Sequence, residues 1–217
     1  PGRGTCFYSL KSNIVFELIN ITKVFPSCVY IYRSDFYMAN TSLGKNVKLE
    51  MAPLISLFSK FISYASVFSE NHGSEEGGAM YFLGDSKSKS ELAIINLLNE
   101  VIFENNSAYS KGGAIYSENQ NFIINNSIFL NNKANFGGSL FTSNSQTISI
   151  IFTIQNSPFK KNMAKIEGGA IKYESDPVIT KDCLFEENIA VYGKNIANYP
   201  IRMGFQILKR NHNLDNN

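Results

Sequence analysis

The stretch that decides the fold runs from Phe103 to Ile115 and reads Phe-Glu-Asn-Asn-Ser-Ala-Tyr-Ser-Lys-Gly-Gly-Ala-Ile. It contains a Phe followed three residues later by an Asn, and then a glycine pair that leads into a large aliphatic residue. Five such units follow one another along the chain, and this repetition predicts a solenoid, because each unit buries its apolar face only by stacking on its neighbours. The Phe and Asn positions are Phe68, Asn71, Phe103, Asn106, Phe129, Asn132, Phe159, Asn162, Phe185 and Asn188, and the glycines are Gly77, Gly78, Gly112, Gly113, Gly137, Gly138, Gly168, Gly169 and Gly193.

The spacing of the units indicates which kind of solenoid they form. The five Phe positions define four intervals, of which the second and the fourth are equal and the other two are longer. A period of about 25 residues suits one coil of a parallel β-helix, with loops inserted in the longer units. Helical repeats need runs of good helix formers, whereas these units are rich in Ile, Asn, Ser, Phe and Gly. The sequence therefore predicts an all-β, single-stranded right-handed parallel β-helix of about six to eight coils.

Each recurring feature of the unit has a structural interpretation. We expect three short strands and three turns per coil, with Phe stacked on Phe inside the helix. The Asn has two plausible roles, because Asn tolerates left-handed backbone and its amide can hydrogen-bond to the Asn of the next coil. The glycine pair supplies positive φ angles and a close approach between coils. An inward aliphatic position follows it, at Met80, Ile115, Leu140, Ile171 and Ile196.

The whole chain, residues 1–217, is predicted to form one β-helix domain. Residues 1–35 are expected to form an N-terminal cap or degenerate coils, 36–197 the repeat coils, and 198–217 an edge strand and polar tail. One degenerate coil is inferred from Phe36, Gly44, Asn46 and Val47, which repeat the spacing of Phe185, Gly193, Asn195 and Ile196. The chain begins at Pro1 without an initiator Met or a signal peptide, so we expect it to be part of a longer protein.

Composition and charge exclude several classes of function. The chain is 44% hydrophobic and 13% aromatic, which is enough for a large core. The formal net charge is +2 with scattered Lys and Arg, so neither nucleic acid nor an acidic membrane surface is indicated as a partner. No apolar run reaches the roughly 18 residues that span a bilayer. No cofactor motif is present.

Cysteines and glycosylation sequons carry weak information on the compartment. Cys6 and Cys28 could form a disulfide in an oxidising compartment, whereas Cys183 is expected to be a buried unpaired thiol. Triplets that permit N-glycosylation begin at Asn20, Asn40, Asn105 and Asn125 and favour a secreted protein, although Asn-rich sequences form them by chance.

Candidate catalytic residues are few. Glu118 and Glu174 share a strand position two coils apart, with Ser143 between them, and form the best carboxylate pair for an enzyme. Lys160-Lys161 and Glu186-Glu187 occupy equivalent positions in successive coils and are interpreted as an exposed charge ladder. His72 is expected to be a solvated loop residue, and His212 lies far from it in sequence.

An aromatic stripe offers a possible site for glycans. Tyr81, Tyr116 and Phe141 share one strand position, which Lys172 occupies in the next coil. An outward orientation would make these side chains a shelf for sugars, whereas an inward orientation, which we favour, would make them part of the core.

Taken together, the two motifs resemble the FxxN and GGA[ILV] repeats of the chlamydial polymorphic outer-membrane proteins. Similar repeats also occur in large surface proteins of single-celled eukaryotes. The resemblance covers residues 66–200 and weakens at Lys194, which replaces the second glycine. It implies a pectin-lyase-like β-helix outside the cell, with a structural or adhesive role and no catalytic residues. Other proteins would bind at the helix ends or the lateral face. The alternative is a polysaccharide-active enzyme or a glycan-binding module on the same fold.

Overall fold

The computed structural model describes residues 5–22, 27–46, 51–84, 94–145, 149–174 and 176–199. Within these ranges the regular secondary structure consists of 26 β-strands, and every strand pairing is parallel. The prediction of an all-β parallel solenoid is therefore confirmed. Val47 and His212 lie outside the described residues, as does the predicted C-terminal edge strand and polar tail, 198–217, from residue 200 onward.

The strands belong to four parallel sheets, named here A to D. Sheet A contains β1 Thr5–Leu10, β4 Ser27–Tyr32, β7 Leu54–Leu57, β11 Met80–Leu83, β15 Ile115–Glu118, β19 Leu140–Ser143, β23 Ile171–Glu174 and β26 Ile196–Asn198. Sheet B contains β2 Asn13–Glu17, β5 Asp35–Ala39, β8 Lys60–Tyr64, β12 Ile95–Asn99, β16 Asn121–Asn125, β20 Phe152–Gln155 and β24 Ile179–Lys181. Sheet C contains β3 Asn20–Thr22, β6 Ser42–Gly44, β9 Val67–Ser69, β13 Ile102–Glu104, β17 Ile128–Leu130, β21 Phe159–Lys160 and β25 Phe185–Glu186, and sheet D contains β10 His72–Glu76, β14 Ser107–Lys111, β18 Lys133–Phe136 and β22 Met163–Glu167.

The chain passes through sheets A, B and C in the same order in each coil. Coil 1 consists of β1–β3, coil 2 of β4–β6, and coils 3 to 6 of β7–β10, β11–β14, β15–β18 and β19–β22. Coil 7 consists of β23–β25, and β26 adds one further strand to sheet A. The strands of sheet D occur in coils 3 to 6, which corrects the expectation of three strands per coil.

Stacked side chains fill the interior. The rings of Phe68, Phe103, Phe129 and Phe159 are fully buried, and neighbouring ring centroids lie 4.4–5.3 Å apart within 14° of parallel. Phe185 stacks on Phe159 at 5.2 Å. Burying one Phe side chain stabilises the fold by about 2–3 kcal/mol. The predicted Phe stack is therefore present. The aliphatic positions Met80, Ile115, Leu140 and Ile171 are fully buried as well.

A continuous ladder of buried Asn side chains, the Asn ladder, marks the corner that follows sheet C. Its members are Asn46, Asn71, Asn106, Asn132, Asn162 and Asn188, each 0% exposed. From Asn46 to Asn162, each Nδ2 donates to the Oδ1 of the Asn in the next coil at 2.8–3.1 Å, and Nδ2 of Asn188 donates to Asn195 at 3.2 Å. From Asn71 onward, Nδ2 also donates to a backbone carbonyl of the preceding coil. The predicted amide contact between coils is thus present.

The second role suggested for the Asn is wrong, because the left-handed residue is the one before it. Positive φ angles of 52–55° occur at Glu70, Asn105, Asn131, Lys161 and Glu187. These exposed or half-buried positions accept varied side chains, so the turn needs no specific residue there. The Asn is required for its amide alone.

The glycine pair performs the two predicted tasks, one at each glycine. The first member has a positive φ, for example 63° at Gly137. The second member lies against the backbone of the next coil, so that a Cβ on Gly138 would stand 2.1 Å from the carbonyl oxygen of Gly169. Lys194 takes this second position in coil 7. Gly169 lies against it, so that a Cβ on Gly169 would stand 2.1 Å from the carbonyl oxygen of Lys194.

The predicted alignment of the degenerate N-terminal coil is also wrong. Phe36 pairs with Phe61 in sheet B, not with the Phe positions of sheet C. Leu43 pairs with Phe68 in sheet C, and Asn46, three residues later, is the ladder residue of coil 2. The repeat therefore extends into coil 2, where Leu replaces Phe.

Candidate functional site

One outward column of side chains begins directly after the Asn ladder. His72, Ser107, Lys133 and Met163 pair with one another in register at the start of each strand of sheet D, and Met163 bridges to Ile189. Unlike the Asn ladder, this column contains a different residue in every coil. Its members are exposed or half-buried, so they form surface rather than core.

Two adjoining cavities run along this column and form what we name the corner groove. The first has a volume of about 520 Å³ and is lined by His72, Asn105, Asn106, Ser107, Asn131 and Lys133. The second, of about 480 Å³, shares Asn131 and Lys133 and adds Lys161, Met163, Glu187, Ile189 and Lys194. The groove therefore extends along the helix axis from coil 3 to coil 7, and each coil contributes a few side chains to it.

His72 lies in the groove wall rather than in a solvated loop, which corrects the prediction. Its Nδ1 and the Oγ of Ser107 are 2.9 Å apart. Burial lowers the pKa of His72, opposed by the nearby carboxylate of Glu70 and assisted by Lys133, and so favours the neutral ring. A His beside a Ser is one part of a nucleophilic triad, but no described carboxylate is hydrogen-bonded to the ring.

The groove carries more positive than negative side chains. Lys161 and Glu187 face each other at 3.9 Å and are both well exposed. Lys133 and Lys194 form no ion pair with any described residue. An ion pair between two solvent-exposed side chains is weak, so Lys161 also remains available to a ligand.

The aromatic stripe lies on the outer face of sheet A and is nonetheless covered. Tyr81, Tyr116, Phe141 and Lys172 are in register and alternate with the inward aliphatic residues. The rings of Tyr81 and Tyr116 stack at 5.0 Å, and those of Tyr116 and Phe141 at 5.6 Å. Phe141 is 0% exposed and Tyr116 is 4% exposed. The stripe is therefore not an open shelf for sugars. It is also not part of the central core, which was the orientation favoured from the sequence.

Charged side chains from sheet D fold over the stripe. Lys111 pairs with Glu76 at 3.5 Å, and its Nζ lies 4.8 Å from the centroid of Phe141. The buried Nζ of Lys172 contacts Glu167 at 2.6 Å and lies 3.4 Å from the centroid of Tyr199. These cations are occupied by protein carboxylates and rings, which leaves little for an external ligand.

Burial controls the ionisation of the groups around the stripe. It raises the pKa of Tyr81 to about 12 and is the main cause of the raised pKa of Tyr116, whose hydroxyl donates to Glu118 at 2.8 Å. Burial also raises the pKa of Glu76, against the opposing effect of Lys111. A cavity of about 210 Å³ beside Tyr81 is lined by Met51, Ala52, Glu75 and Glu76. The charged residues around the stripe already have partners in the protein, because Glu76 pairs with Lys111 and Glu118 accepts from the hydroxyl of Tyr116.

The structure brings together some of the predicted charged residues. Glu118, Ser143 and Glu174 occupy one register position, as expected, and are separated by about 4.8 Å per coil. The charge ladder is confirmed, with Lys160–Glu186 at 2.8 Å and Lys161–Glu187 at 3.9 Å. The expectation that these carboxylates are not catalytic stays a prediction.

The predicted glycosylation sites and the cysteines differ in how far the structure tests them. Asn20 and Asn40 are exposed or half-buried, as are Asn105 and Asn125, and their glycosylation stays a prediction. Cys183 is a free, half-buried thiol with a pKa raised by burial, so it is less buried than expected. The pairing of Cys6 with Cys28 stays a prediction.

The groove could not be found from any local motif, because each coil supplies only a few of its residues. The one available signal was the irregular column after each FxxN motif, which is visible once the units are aligned. In the part of the chain that the structure describes, no cluster of His, Cys, Asp and Glu could hold a metal ion, and no helix could cross a bilayer.

Comparison with known proteins supports the resemblance inferred from the motifs. Residues 100–118 match the family model described as the Chlamydia polymorphic membrane protein repeat. The chain carries this repeat on a parallel β-helix. It is also 29% identical over 133 residues to the probable autotransporter YfaL of Escherichia coli strain K12. That alignment covers 57% of this chain and 10% of the relative, so the chain spans a small part of the relative's length. No solved structure matches the chain.

These similarities indicate a module of a surface protein. The family match contains Phe103, Asn106, Gly112 and Gly113, which are the residues of coil 4 that stack on their counterparts in coils 3 and 5. The polymorphic membrane protein repeat is thus the unit that builds the interior. It does not itself include the side chains of coils 5 to 7 that line the groove.

Proposed function

We propose that this chain is a non-catalytic structural and adhesive β-helix module of a larger surface or extracellular protein. The observation that carries the proposal is the division of each coil between an interior of identical ladders and a lateral groove whose side chains change from coil to coil. A rigid rod with a variable side surface suits attachment to partners better than turnover of a substrate. The similarity to an autotransporter and to a membrane-protein repeat supports an exposed location.

The groups that an enzyme would need are engaged elsewhere. Glu76, Lys111 and Glu118 contact one another or Tyr116, and the pair of His72 and Ser107 has no carboxylate hydrogen-bonded to the ring among the described residues. Contacts with other proteins are expected along the lateral face and at the helix ends, where the first and last described strands of each sheet have a described neighbour on one side only.

A surface attachment assay tests the proposal directly. Beads coated with residues 1–217 are expected to adhere to cells or extracellular matrix above the level of albumin-coated beads. Beads coated with the heat-unfolded chain serve as the matched control, because they present the same composition without the rod. Antibodies against the chain should label intact cells of the source organism. The proposal fails if labelling requires permeabilised cells, or if the chain degrades a polysaccharide and supports no attachment.

A further inference from the structure

We propose that the corner groove binds a linear polysaccharide bearing carboxylate or sulfate groups. This inference deepens the proposed function, because it assigns a class of ligand to the adhesive role. It rests on the charge of the groove, on the unoccupied amides along its wall and on its course along the helix axis.

Charge is the first argument. The groove is lined by Lys133, Lys161 and Lys194 against a single Glu187. Lys133 and Lys194 have no ion-pair partner among the described residues, so their ammonium groups are available to an anion. Sequence reasoning found only scattered lysines, and the stacking of coils 5 to 7 gathers these three. Lys194 stands where coils 3 to 6 have glycine, so the departure from the repeat adds a cation to the groove.

Neutral hydrogen-bonding groups are the second argument. The side chains of Asn105 and Asn131 are half-buried, line the groove and form no hydrogen bond with any described residue. Their backbone N–H groups already donate to the next coil, at 3.0 Å each. Each free carboxamide can donate to and accept from a sugar hydroxyl. Met163 and Ile189 add apolar surface for the C–H face of a sugar ring.

Shape is the third argument. The column from His72 to Ile189 crosses four coil-to-coil steps of about 4.8 Å, so the groove is roughly 19 Å long. An open, straight groove of this kind accommodates a segment of a linear polymer. Its described lining contains no aromatic ring on which a nucleobase could stack, apart from the imidazole of His72 at one end. Glu187 within the groove and Glu70 near His72 also disfavour a polymer as densely charged as nucleic acid.

Calorimetric titration of residues 1–217 tests this inference. Polygalacturonate presents carboxylates, heparin presents sulfates, and dextran serves as the uncharged polysaccharide. At least one of the two anionic polymers is expected to bind, with an affinity that falls as the salt concentration is raised. Dextran is not expected to bind. The double variant Lys133→Ser/Lys194→Ser should weaken binding by about tenfold or more, because two charge-assisted contacts are lost. Circular dichroism and the melting temperature should stay unchanged, since both lysines lie on the surface.

The matched control is Lys60→Ser/Lys181→Ser, which removes the same formal charge from sheet B, outside the groove. This variant is expected to bind like the unmodified chain. Equal loss of binding in both double variants would overturn the inference, because it would show a response to net charge alone. Equal or tighter binding of oligothymidylate, or of vesicles that contain an anionic lipid, would also overturn it.

The two proposals fail in different ways. If neither anionic polysaccharide binds but coated beads still adhere, the ligand inference is wrong and the adhesive role stands. If beads do not adhere and intact cells are not labelled, the proposed function fails whatever the titrations give.

Discussion

Two neighbouring columns of this molecule obey opposite rules. One column repeats the same buried Asn from Asn46 to Asn188, whereas the residue immediately after it changes from His72 to Ser107, Lys133 and Met163. The two columns are adjacent along the chain. The first column faces its own copies in adjacent coils, so every member must have the same length and the same donors and acceptors. The second column faces solvent, where no partner fixes its identity.

In a repeat protein, repeated positions and varying positions carry different information about function. Positions that are identical in every coil report packing requirements, because each copy is the environment of the next. Positions that vary at a fixed place in the coil are released from that requirement and can be adapted to a partner. Substitutions at the repeated positions should therefore reduce stability, whereas substitutions in the outer column should leave stability nearly unchanged.

The largest effect is expected for Gly138→Ala, within the glycine pair. The added Cβ would meet the carbonyl oxygen of Gly169 at 2.1 Å and backbone atoms of Met163 at 2.7–2.8 Å, and the backbone of the stacked coils cannot yield. We expect a loss of more than about 4 kcal/mol in the free energy of unfolding, or failure to fold. Urea denaturation measures this loss of unfolding free energy.

The control for this prediction is Lys194→Ala, which changes the equivalent position of coil 7. This position already carries a Cβ, so the variant should cost less than about 0.5 kcal/mol in the same denaturation experiment. Similar effects of the two variants would contradict the close-approach account.

Phe129→Ala should have the next largest effect. Its ring is 0% exposed and stacks between Phe103 at 4.9 Å and Phe159 at 4.4 Å, so its removal leaves a cavity inside the rod. We expect a loss of about 3–5 kcal/mol by thermal and chemical denaturation. The neighbouring Ile128→Ala removes an outward side chain that is 37% exposed and should cost less than about 1 kcal/mol. Equal losses at the two positions would remove the distinction between inner and outer columns.

Asn132→Ala tests the Asn ladder itself. Asn132 accepts from the N–H and the Nδ2 of Asn106 and donates to Phe103 and Asn162, all within 3.0–3.1 Å and all buried. Removing the amide leaves several buried groups unsatisfied, so we expect a loss of about 3 kcal/mol. Asn99→Ala is the control, because Asn99 makes its amide contact with Asn126 at the surface. A loss at Asn132 no greater than that at Asn99 would show that the ladder is dispensable.

The smallest effect concerns the outer column and depends on pH. Burial lowers the pKa of His72 in the folded chain below its unfolded value. The unfolded state therefore binds more protons as the pH falls through about 6.5, and stability that is present above this pH declines below it. In His72→Gln the decline in melting temperature between pH 7 and pH 5 should be smaller than in the unmodified chain. If the melting temperature of His72→Gln declines as much as that of the unmodified chain, or more, protonation of His72 does not reduce the stability of the fold.

The interior of the fold was accessible from sequence because it is built from repetition. Phe103, Asn106 and Gly113 each contact their own kind one coil away, so a pattern along the chain translates directly into contacts in space. The same reasoning missed sheet D. Its inward residues are Ala108, Ala134 and Ala164, which are too small to give the apolar alternation by which strands are recognised. It also misaligned coil 2, because Leu43 fills the Phe position of sheet C there.

The candidate site was largely hidden from the sequence. Lys133, Lys161 and Lys194 belong to three separate units of the repeat and lie at three different positions of the unit. They come together only because loops of unequal length still return each coil to the same corner. His72 looked like an isolated loop residue for the same reason, since its partner Ser107 belongs to the next coil.

The Asn ladder also gives the rod a polarity. Every carboxamide points its Nδ2 toward the following coil and its Oδ1 toward the preceding one, so the amide dipoles add along the axis instead of cancelling. At the C-terminal end of the ladder, Nδ2 of Asn188 donates to the Oδ1 of Asn195 at 3.2 Å, so this end is closed by a residue of the same coil. Because each Nδ2 meets an Oδ1 within the ladder, a coil that stacks on it must run in the same direction as its neighbours, whereas a reversed coil would set donor against donor. The ladder thereby fixes the direction in which the coils stack.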